Sequence, residues 1–505
     1  MTLTRRDFLK MSGMFAAWTA LASCAPHEHA TLAPTTAPVG TAFPTLPSEP
    51  LADEALLVHT LKRFTFGPTP EMIEKAKRIG LNAFIEEQLF PESIPDDATD
   101  KMMEQFTTFS MTPAERFKLE KKGLPVQELI SATLLRQRHS ERQLFETMVD
   151  FWGNHFSIYI AKNACKTLKT DDDLYTIRPN ALGKFRDLLH ASAHSPAMLV
   201  FLDQATSIGT APNENYAREL MELHSIGVDS GYSHHDVEEV SRALTGWTVV
   251  SPRDRKKEPG TFYFNSDMHN QGEKHVLGMM IPSGGEDEGM MILDMLASHP
   301  SAAQFISRKL AVRFISDSPS AEVVDSLAQV FTQTDGDVRS LLRAIVQSDS
   351  FKSSAGQKFK KPLDFFISTL RLTDATITIN ARNGRKIQEH LRLLGQVPFT
   401  WSPPDGFPDN EEYWSTTSGL LDRWNFGLLL TSNQIRGMEV DLKNLTRDAA
   451  SAEDVVDVLS LRFLGELLPE NARSILVDFV SSGDLDKDIP SIAGLILGSP
   501  HFQMR

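Results

Sequence analysis

The sequence predicts a mainly α-helical, multi-helix globular body, with a short irregular and β-containing insertion around 249–290 and a Pro-rich aromatic loop around 396–414. Two observations predict this class. Apolar residues recur every three or four positions through most of the body, which is the period of one face of a helix. The stretch TFYFN, residues 261–265, is instead rich in aromatic and β-branched residues, as a strand would be.

The N-terminus carries the features of an export signal. The pair Arg5 and Arg6, followed by Phe-Leu-Lys, is typical of the address that the bacterial Tat exporter recognises. The apolar run over 11–22 is too short to span a bilayer, so we interpret it as part of a signal peptide rather than a buried helix. The run ends in LASC, which resembles a lipobox. We therefore expect a Tat-type signal peptide over 1–23 and lipidation of Cys24; cleavage without a lipid is the alternative.

The next segment, residues 24–50, is rich in Pro and Thr and is predicted to be a tether. An exported, lipid-anchored protein in the cell envelope or periplasm, on the extracytoplasmic face, is therefore expected. The formal net charge of −15 disfavours a nucleic-acid-binding surface. Membrane contact is expected through the lipid. Lipidation of Cys24 would leave Cys165 as the sole other cysteine, without an intramolecular disulfide partner.

An N-terminal helical region is predicted over 51–248. Thr69 has the character of an N-cap before Pro70, and Gly80 is expected to end that helix. A long helix is predicted over about 127–160, because its apolar residues recur at i, i+4 spacing.

Three more helical stretches complete this region. The first, 181–203, is interrupted by His-Ser-Pro, and the second and third are predicted over 213–227 and 234–245. Ser233 and Asp236 have the spacing of a capping box ahead of the last one.

The irregular and β insertion is assigned to 249–298 and includes a Gly-rich loop over 284–289. A C-terminal helical region is predicted over 299–505, beginning with a helix over 301–315. Within it, the Pro-rich aromatic loop is long and irregular, and segments of that kind in compact domains are often functional.

Several motifs together indicate a family. They are RFTFGPTP (63–70), VDFWGNHFS (149–157), HSPAMLVFLD (194–203), NENYARELMELHSIGVDSGY (213–232), DVEEVSRALTGWT (236–248), HPSAAQFISRKLAVRFISD (299–317) and LLDRWNFG (420–427). They resemble the bacterial family called domain of unknown function 1800 over nearly the whole mature chain. The resemblance implies an exported protein, often encoded beside a phosphatase/sulfatase-like protein that could be its partner. It implies no reaction and no catalytic residues.

The polar segment 212–232 is the strongest candidate site. On an α-helical wheel, Asn215, Glu219 and Glu222 share one stripe, whereas His224 lies in the opposite, apolar stripe. Two neighbouring carboxylates repel each other, which suits one of them to acid/base chemistry. The same pair, with Asn215, could instead bind a hard divalent cation. A solvated face that pairs with nearby arginines is the structural alternative.

Three residues from other segments could join this site. His155 lies in Trp-Gly-Asn-His-Phe, where glycine could admit a substrate or serve packing. Asp203 ends an apolar run and could present a carboxylate or cap a helix. His269 lies in a polar stretch and could be a metal ligand or a surface residue.

Two functions from different classes remain open. No G-x-S-x-G, Walker, dinucleotide, zincin or haem-attachment motif is present, so those chemistries are disfavoured. We expect an envelope enzyme whose reaction and cofactor are unknown, either acid/base or dependent on a divalent metal ion. The alternative is a non-catalytic helical lipoprotein scaffold that binds another exported protein. Convergence of the polar residues would favour the enzyme, and a large exposed apolar patch the scaffold. The candidate residues are, for catalysis, Glu219, Glu222, His155 and Asp203, and, for a metal, Asn215, Glu219, Glu222 and His269.

Overall fold

The computed structural model describes residues 54–254, 256–379, 384–480 and 485–505. The predicted signal peptide, lipidation site and tether lie outside these residues, so Arg5, Arg6 and Cys24 stay predictions. The mainly α-helical class is confirmed, with small antiparallel strand pairs as the β component. Among the described helices, none has the length and apolar character needed to cross a membrane.

Helices follow one another along the chain with short connections. In the first half they are α1 (Glu54–Phe64), α2 (Pro70–Ile79), α3 (Leu81–Leu89), α4 (Asp97–Met103), α5 (Pro113–Lys118), α6 (Leu124–His139), α7 (Gln143–His155), α8 (Cys165–Asp171), α9 (Arg178–Asn180), α10 (Phe185–Ala193), α11 (Pro196–Phe201), α12 (Glu214–Glu219) and α13 (His234–Ala243). In the second half they are α14 (Glu286–Ser298), α15 (Pro300–Phe314), α16 (Ala321–Gln333), α17 (Val338–Gln347), α18 (Asp349–Lys352), α19 (Pro362–Leu372), α20 (Gly384–Leu394), α21 (Glu411–Trp414), α22 (Thr417–Thr431), α23 (Leu442–Leu445), α24 (Ala452–Leu464), α25 (Glu470–Val480), α26 (Leu485–Gly498) and α27 (Pro500–Gln503). Two further segments, Asp172–Ile177 and Leu220–Ser225, are π-helical, and single 3-10 turns lie at Pro91–Ser93, Thr107–Phe109, Gln204–Thr206, Val228–Ser230 and Ser266–Met268.

The strands form three separate two-stranded antiparallel sheets. They are β1 (Trp247–Val249) with β2 (Phe262–Phe264), β3 (Lys274–Val276) with β4 (Met279–Ile281), and β5 (Thr376–Ile377) with β6 (Met438–Glu439). The expected strand in TFYFN is confirmed as β2, which pairs with β1.

The helix ends that the sequence predicts from neighbouring residues are confirmed. The Thr69 side chain accepts a hydrogen bond from the Met72 amide, and Gly80 follows α2 with a positive φ of 89°. Ser233 and Asp236 form the predicted capping box at the start of α13. These caps succeed because the hydrogen bonds they need come from residues within one turn.

The predicted single helix over 127–160 is wrong. The chain leaves the helix after His139 and begins α7 at Gln143, and α7 ends at His155. The Ser140 hydroxyl donates to the Asp96 carboxylate at 2.6 Å and accepts from the Arg142 amide at 3.0 Å. These contacts hold Ser140 in an extended conformation, because its side chain offers the backbone an alternative to the helix.

One large hydrophobic core dominates the body and extends from Phe64 to Phe351. It contains the fully buried Trp152 and Trp247 of the N-terminal region, Ile292 of the insertion and Leu310 of the C-terminal region, so all three predicted regions of the body contribute to it. A smaller cluster of Phe359, Phe407 and Trp414, with Trp401 beside it, anchors the aromatic side chains of the Pro-rich loop.

Candidate functional site

The polar segment 212–232 begins as an α-helix and then widens. The Asn213 side chain caps α12, and the helix continues into the π-helical segment Leu220–Ser225. Its hydrogen bonds there connect residues five apart, so the α-helical wheel used in the sequence analysis does not hold beyond Glu219. Short π-helical segments are frequent at functional sites.

Glu219 and Glu222 lie close enough to influence each other electrostatically. Burial raises the pKa of the half-buried Glu219 carboxyl, and the negative charges of Glu222 and Asp405 add to that rise, while Arg218 opposes it. Glu222 is bound more firmly, because it accepts a hydrogen bond from the Tyr232 hydroxyl at 2.5 Å and lies 3.7 Å from Arg218. The setting of Glu219 therefore favours its protonated form.

Asn215 has a structural contact. Its amide group donates to the Leu202 carbonyl at 3.1 Å, which ties α12 to the end of α11.

His155 forms a buried pair with His224, which lies in the π-helical segment. Their ring centroids are 6.1 Å apart, and His155 Nε2 donates to the His224 carbonyl at 3.1 Å. Within the described chain, His155 Nδ1 and His224 Nε2 have no hydrogen-bond partner. Burial lowers the pKa of both, that of His224 to about 3, and the nearby charge of Lys309 lowers them further. Both rings are therefore neutral at physiological pH, and each keeps one buried nitrogen without a hydrogen-bond partner in the described chain.

Lys309 is the cationic member of this site. It lies on α15, and its Nζ is 5.5 Å from the ring centre of Phe305, which in turn lies 6.2 Å from the ring of His155. Burial lowers the pKa of Lys309 to about 8, although Asp409 and Asp405 oppose the shift. In the described ranges, no carboxylate lies within 4 Å of this amine.

The sequence analysis did not single out Lys309. A usable signal was present, because Phe305, Lys309 and Arg313 recur at i, i+4 spacing on one face of this helix.

The Pro-rich loop is fastened to this site by Asn154. The Asn154 amide donates to the Phe407 carbonyl at 2.9 Å and accepts from the Phe407 amide at 2.7 Å. Gly406 has a φ of +78°, and a Cβ there would lie 2.2 Å from the Asn154 carbonyl oxygen. Only glycine fits this close approach. The docking brings Asp405, which accepts from the Trp401 indole at 2.7 Å, within electrostatic range of Glu219 and Lys309.

A narrow cleft lies next to the contact between Asn154 and the Pro-rich loop. It is lined by Asp150, Asn154 and Asp173 on one side and by Trp401 and Phe407 from the loop on the other. Its enclosed space is about 40 Å³, which is enough for a few water molecules. The backbone of the Trp-Gly-Asn-His motif is open at the glycine, since a Cβ built there would meet nothing within 4 Å.

The other candidate residues are engaged elsewhere. Asp203 has a φ of 62° and pairs with Lys162 at 2.8 Å. His269 is buried, with Nδ1 2.9 Å from the Thr245 carbonyl and Nε2 3.1 Å from Glu288. Cys165 is buried, and burial raises the pKa of its thiol to about 12, so it stays protonated.

In the part of the chain that the structure describes, one group of three acidic and histidine side chains has its ligand atoms within 4.8 Å. It consists of Glu214, His234 and Glu238, and two of the three side chains are exposed. Glu214 also binds Arg218 at 3.1 Å. The sequence analysis gave this group no role. No described group combines Glu219 and Glu222 with His269.

Comparison with known proteins agrees with the motifs quoted above. A family model matches residues 59–504, and this range includes every member of the site around Glu219, His155 and Lys309. No curated protein and no solved structure matches the chain. The chain belongs to the family described as "Protein of unknown function (DUF1800)".

Proposed function

We propose that this protein is an exported acid/base enzyme of the cell envelope, in which Glu219 and Lys309 transfer protons. The observation that carries the proposal is the setting of Lys309. This half-buried amine has no ion-pair partner in the described chain and faces two buried histidines with unpartnered ring nitrogens. Buried polar groups normally have partners, so this arrangement is better suited to a ligand than to stability alone.

The surroundings of Glu219 raise its pKa and those of Lys309 lower its pKa, so the two values move toward each other. Burial and the charge of Glu222 favour the protonated, neutral form of Glu219, whereas burial favours the deprotonated form of Lys309. Groups shifted in this way can serve as acid and base near neutral pH. Glu219 would donate a proton and Lys309 would accept one.

The surrounding residues have positioning roles in this proposal. His155 Nδ1 and His224 Nε2 would hydrogen-bond to the bound molecule, because both rings are neutral and held in place by packing. Glu222 would maintain the raised pKa of Glu219 through its negative charge. Asp203, which is paired with Lys162, is outside the proposed catalytic set.

The acid/base form of the hypothesis is better supported than the metal-dependent form. A divalent cation at Asn215, Glu219 and Glu222 would compete with the positive charge of Arg218, 3.7 Å from Glu222. The Asn215 amide is also bound to the Leu202 carbonyl. His269, the fourth expected metal ligand, is held by Thr245 and Glu288.

The proton-transfer roles can be tested without a known substrate. We would measure the rate at which an amine-reactive reagent labels Lys309 from pH 6 to 11, by mass spectrometry of the labelled peptide. The expected profile has a midpoint near pH 8, and Asp405→Asn lowers it further, because the Asp405 carboxylate opposes the shift. Glu214→Gln, which removes a carboxylate that does not act on Lys309, is the matched control and leaves it unchanged. A midpoint near 10.5 in the parent protein would refute the proposal.

Activity then defines the reaction class. The mature protein would be assayed against chromogenic phosphate, sulfate, acyl and glycosyl esters, beside Lys309→Met and Glu219→Gln. Turnover that both variants lose and Glu214→Gln retains is the expected result. Turnover that survives both changes would assign the chemistry to another site.

Export and anchoring are part of the proposal and are supported by Arg5, Arg6 and Cys24 in the sequence. Lysine at both arginine positions is expected to retain the precursor in the cytoplasm. Cys24→Ser is expected to release the mature protein from the membrane fraction. Membrane retention of the Cys24→Ser protein would contradict the lipid anchor.

A scaffold is the second candidate function, favoured by one observation. Strand β4 exposes Met279 and Met280, with 56% and 55% of their surface accessible. Exposed apolar pairs of this kind can contact a partner, here the phosphatase/sulfatase-like exported protein that the family resemblance implies. Met279→Glu/Met280→Glu should abolish co-purification with that protein if the scaffold proposal is correct. Unchanged co-purification would contradict it.

A further inference from the structure

A second cavity shares no lining residue with the Glu219 and Lys309 site. Its volume is about 590 Å³, and it is walled by α1, the turn at 355–356, the end of α24 and the segment after α26. The polar lining includes His59, Lys62, His501 and Arg505. A volume of this size is typical of small-molecule sites.

Buried hydrogen-bond donors at this cavity lack partners in the described chain. The Arg505 side chain is 2% exposed; its Nη1 binds Asp364 at 3.2 Å, but Nε and Nη2 have no hydrogen-bond partner. His59 is 4% exposed; its Nε2 donates to the Phe351 carbonyl at 2.8 Å, which leaves Nδ1 as an unpartnered acceptor rather than a donor. Arg63, the residue after Lys62, does not line the cavity but is also fully buried, with Nε and Nη1 unpartnered. Unmet donors in a dry setting are unfavourable, so a ligand with several acceptors would satisfy them.

The side-chain charges around these donors are predominantly positive. Arg63, Lys360 and Arg505 are all buried, and burial followed by repulsion from other cations lowers the pKa of each. The acidic side chains nearby are already engaged. Asp364 is shared between Arg313 and Arg505, and Glu466 binds Lys62 at 3.1 Å. An added negative charge would therefore relieve the repulsion.

Two carboxylates also line the cavity, Glu466 and Glu54, and Glu54 binds Lys77 at 2.5 Å. Most of the remaining lining is apolar. Val58, Leu461, Pro500 and Met504 contribute most of it. A free oxyanion would leave this apolar part of the cavity unfilled, whereas an attached organic group would cover it.

From these contacts we infer that the cavity binds an organic molecule bearing a phosphate or sulfate group. The guanidinium group of Arg505 faces the oxyanion, and Lys62 contributes charge at the rim. Arg505 suits this role because its planar donors match two oxygens of one tetrahedral group. The apolar walls take the organic body.

The inference is tested by calorimetry and thermal unfolding of the full mature chain at fixed ionic strength. Inorganic phosphate, inorganic sulfate, phenyl phosphate, phenyl sulfate and phenol are the probes, with chloride as the reference salt. We expect the phenyl ester of the preferred oxyanion to bind at least ten-fold more tightly than the inorganic ion, and phenol to bind weakly. The two esters distinguish phosphate from sulfate recognition. Stabilisation by neither oxyanion beyond that by chloride would overturn the site.

Variants assign the contact residues. Arg505→Lys is expected to weaken binding of the ester at least ten-fold, because one ammonium replaces a planar set of donors. Lys62→Met leaves the Asp364 contacts intact and is expected to weaken it about three-fold, which keeps the test valid if Arg505→Lys folds poorly. Arg473→Lys, on the surface pair with Asp457, is the matched control. Equal affinities in Lys62→Met, Arg505→Lys and the control would refute the assignment.

Discussion

Lys309→Met should stabilise the folded protein at neutral pH while removing its proposed base. Burial lowers the pKa of Lys309 from 10.5 to about 8. Each pKa unit corresponds to about 1.4 kcal/mol, so a complete shift of that size would disfavour folding by about 3 kcal/mol. Because the side chain is only half buried, solvent screening reduces this figure, and we expect a gain of about 1 to 3 kcal/mol.

The pH dependence gives the sign of the effect independently. The folded protein releases the proton of Lys309 near pH 8, whereas the unfolded chain keeps it until about 10.5. Since the unfolded state binds more protons in this window, the free energy of unfolding of the parent protein rises with pH between about 8 and 10.5. Above that window the penalty disappears, and the advantage of Lys309→Met should disappear with it.

Urea unfolding at pH 7, 9 and 10.5, followed by circular dichroism, measures this difference. Only the difference between parent and variant is interpreted, because other groups titrate in the same range. Lys352→Met, which removes an exposed lysine, is the control and should change stability by less than about 0.5 kcal/mol at every pH. A destabilised Lys309→Met protein, or an advantage that persists at pH 10.5, would show that Lys309 is not a desolvated, unpaired amine.

Three further perturbations probe other parts of the structure. Gly406→Ala should destabilise the protein by about 2 to 4 kcal/mol in urea unfolding, from an unfavourable positive φ and the loss of the two Asn154 hydrogen bonds; a loss below about 0.5 kcal/mol would contradict the close approach. Asp364→Asn should lower the free energy of unfolding by about 3 to 5 kcal/mol, because it leaves Arg313 without its buried partner. The pKa of Asp364 is held far below its usual range, so this contribution should be present above about pH 4 and diminish only in stronger acid. Equal stability of parent and variant at pH 7 would refute it. Elemental analysis of the mature protein beside Glu219→Ala/Glu222→Ala should give the same metal content in both; a stoichiometric divalent metal lost in the variant would replace the acid/base proposal with the metal-dependent one.

The parts of the fold that the sequence predicted correctly depend on local interactions. The caps at Thr69 and Ser233 use hydrogen bonds within one turn, so residue identity and spacing were sufficient. The break at Ser140 was missed because it depends on Asp96, which lies 44 residues earlier in the chain. Periodicity along one helix contains no information about such a contact.

The candidate site could also be predicted only where it depends on residues that are close in sequence. The segment containing Glu219 and Glu222 was recognisable from its concentration of polar residues, but the π-helical turn after Glu219 was not. Lys309 resembled an ordinary surface lysine on a helix. Its low pKa arises from burial in the folded chain and is opposed by Asp405 and Asp409 of the docked loop, which lie far away in sequence. Burial that comes from tertiary contacts cannot be read from one segment alone.

The π-helical segment Leu220–Ser225 also affects how insertions and deletions would act here. A one-residue deletion inside an ordinary α-helix rotates everything after it out of register. In a π-helical segment, the same deletion can instead restore α-helical hydrogen bonding. The shortened chain could still fold, but Glu219 and His224 would no longer face the same surroundings. Chain length in this one turn is therefore a determinant of the site, separate from the identity of any side chain within it.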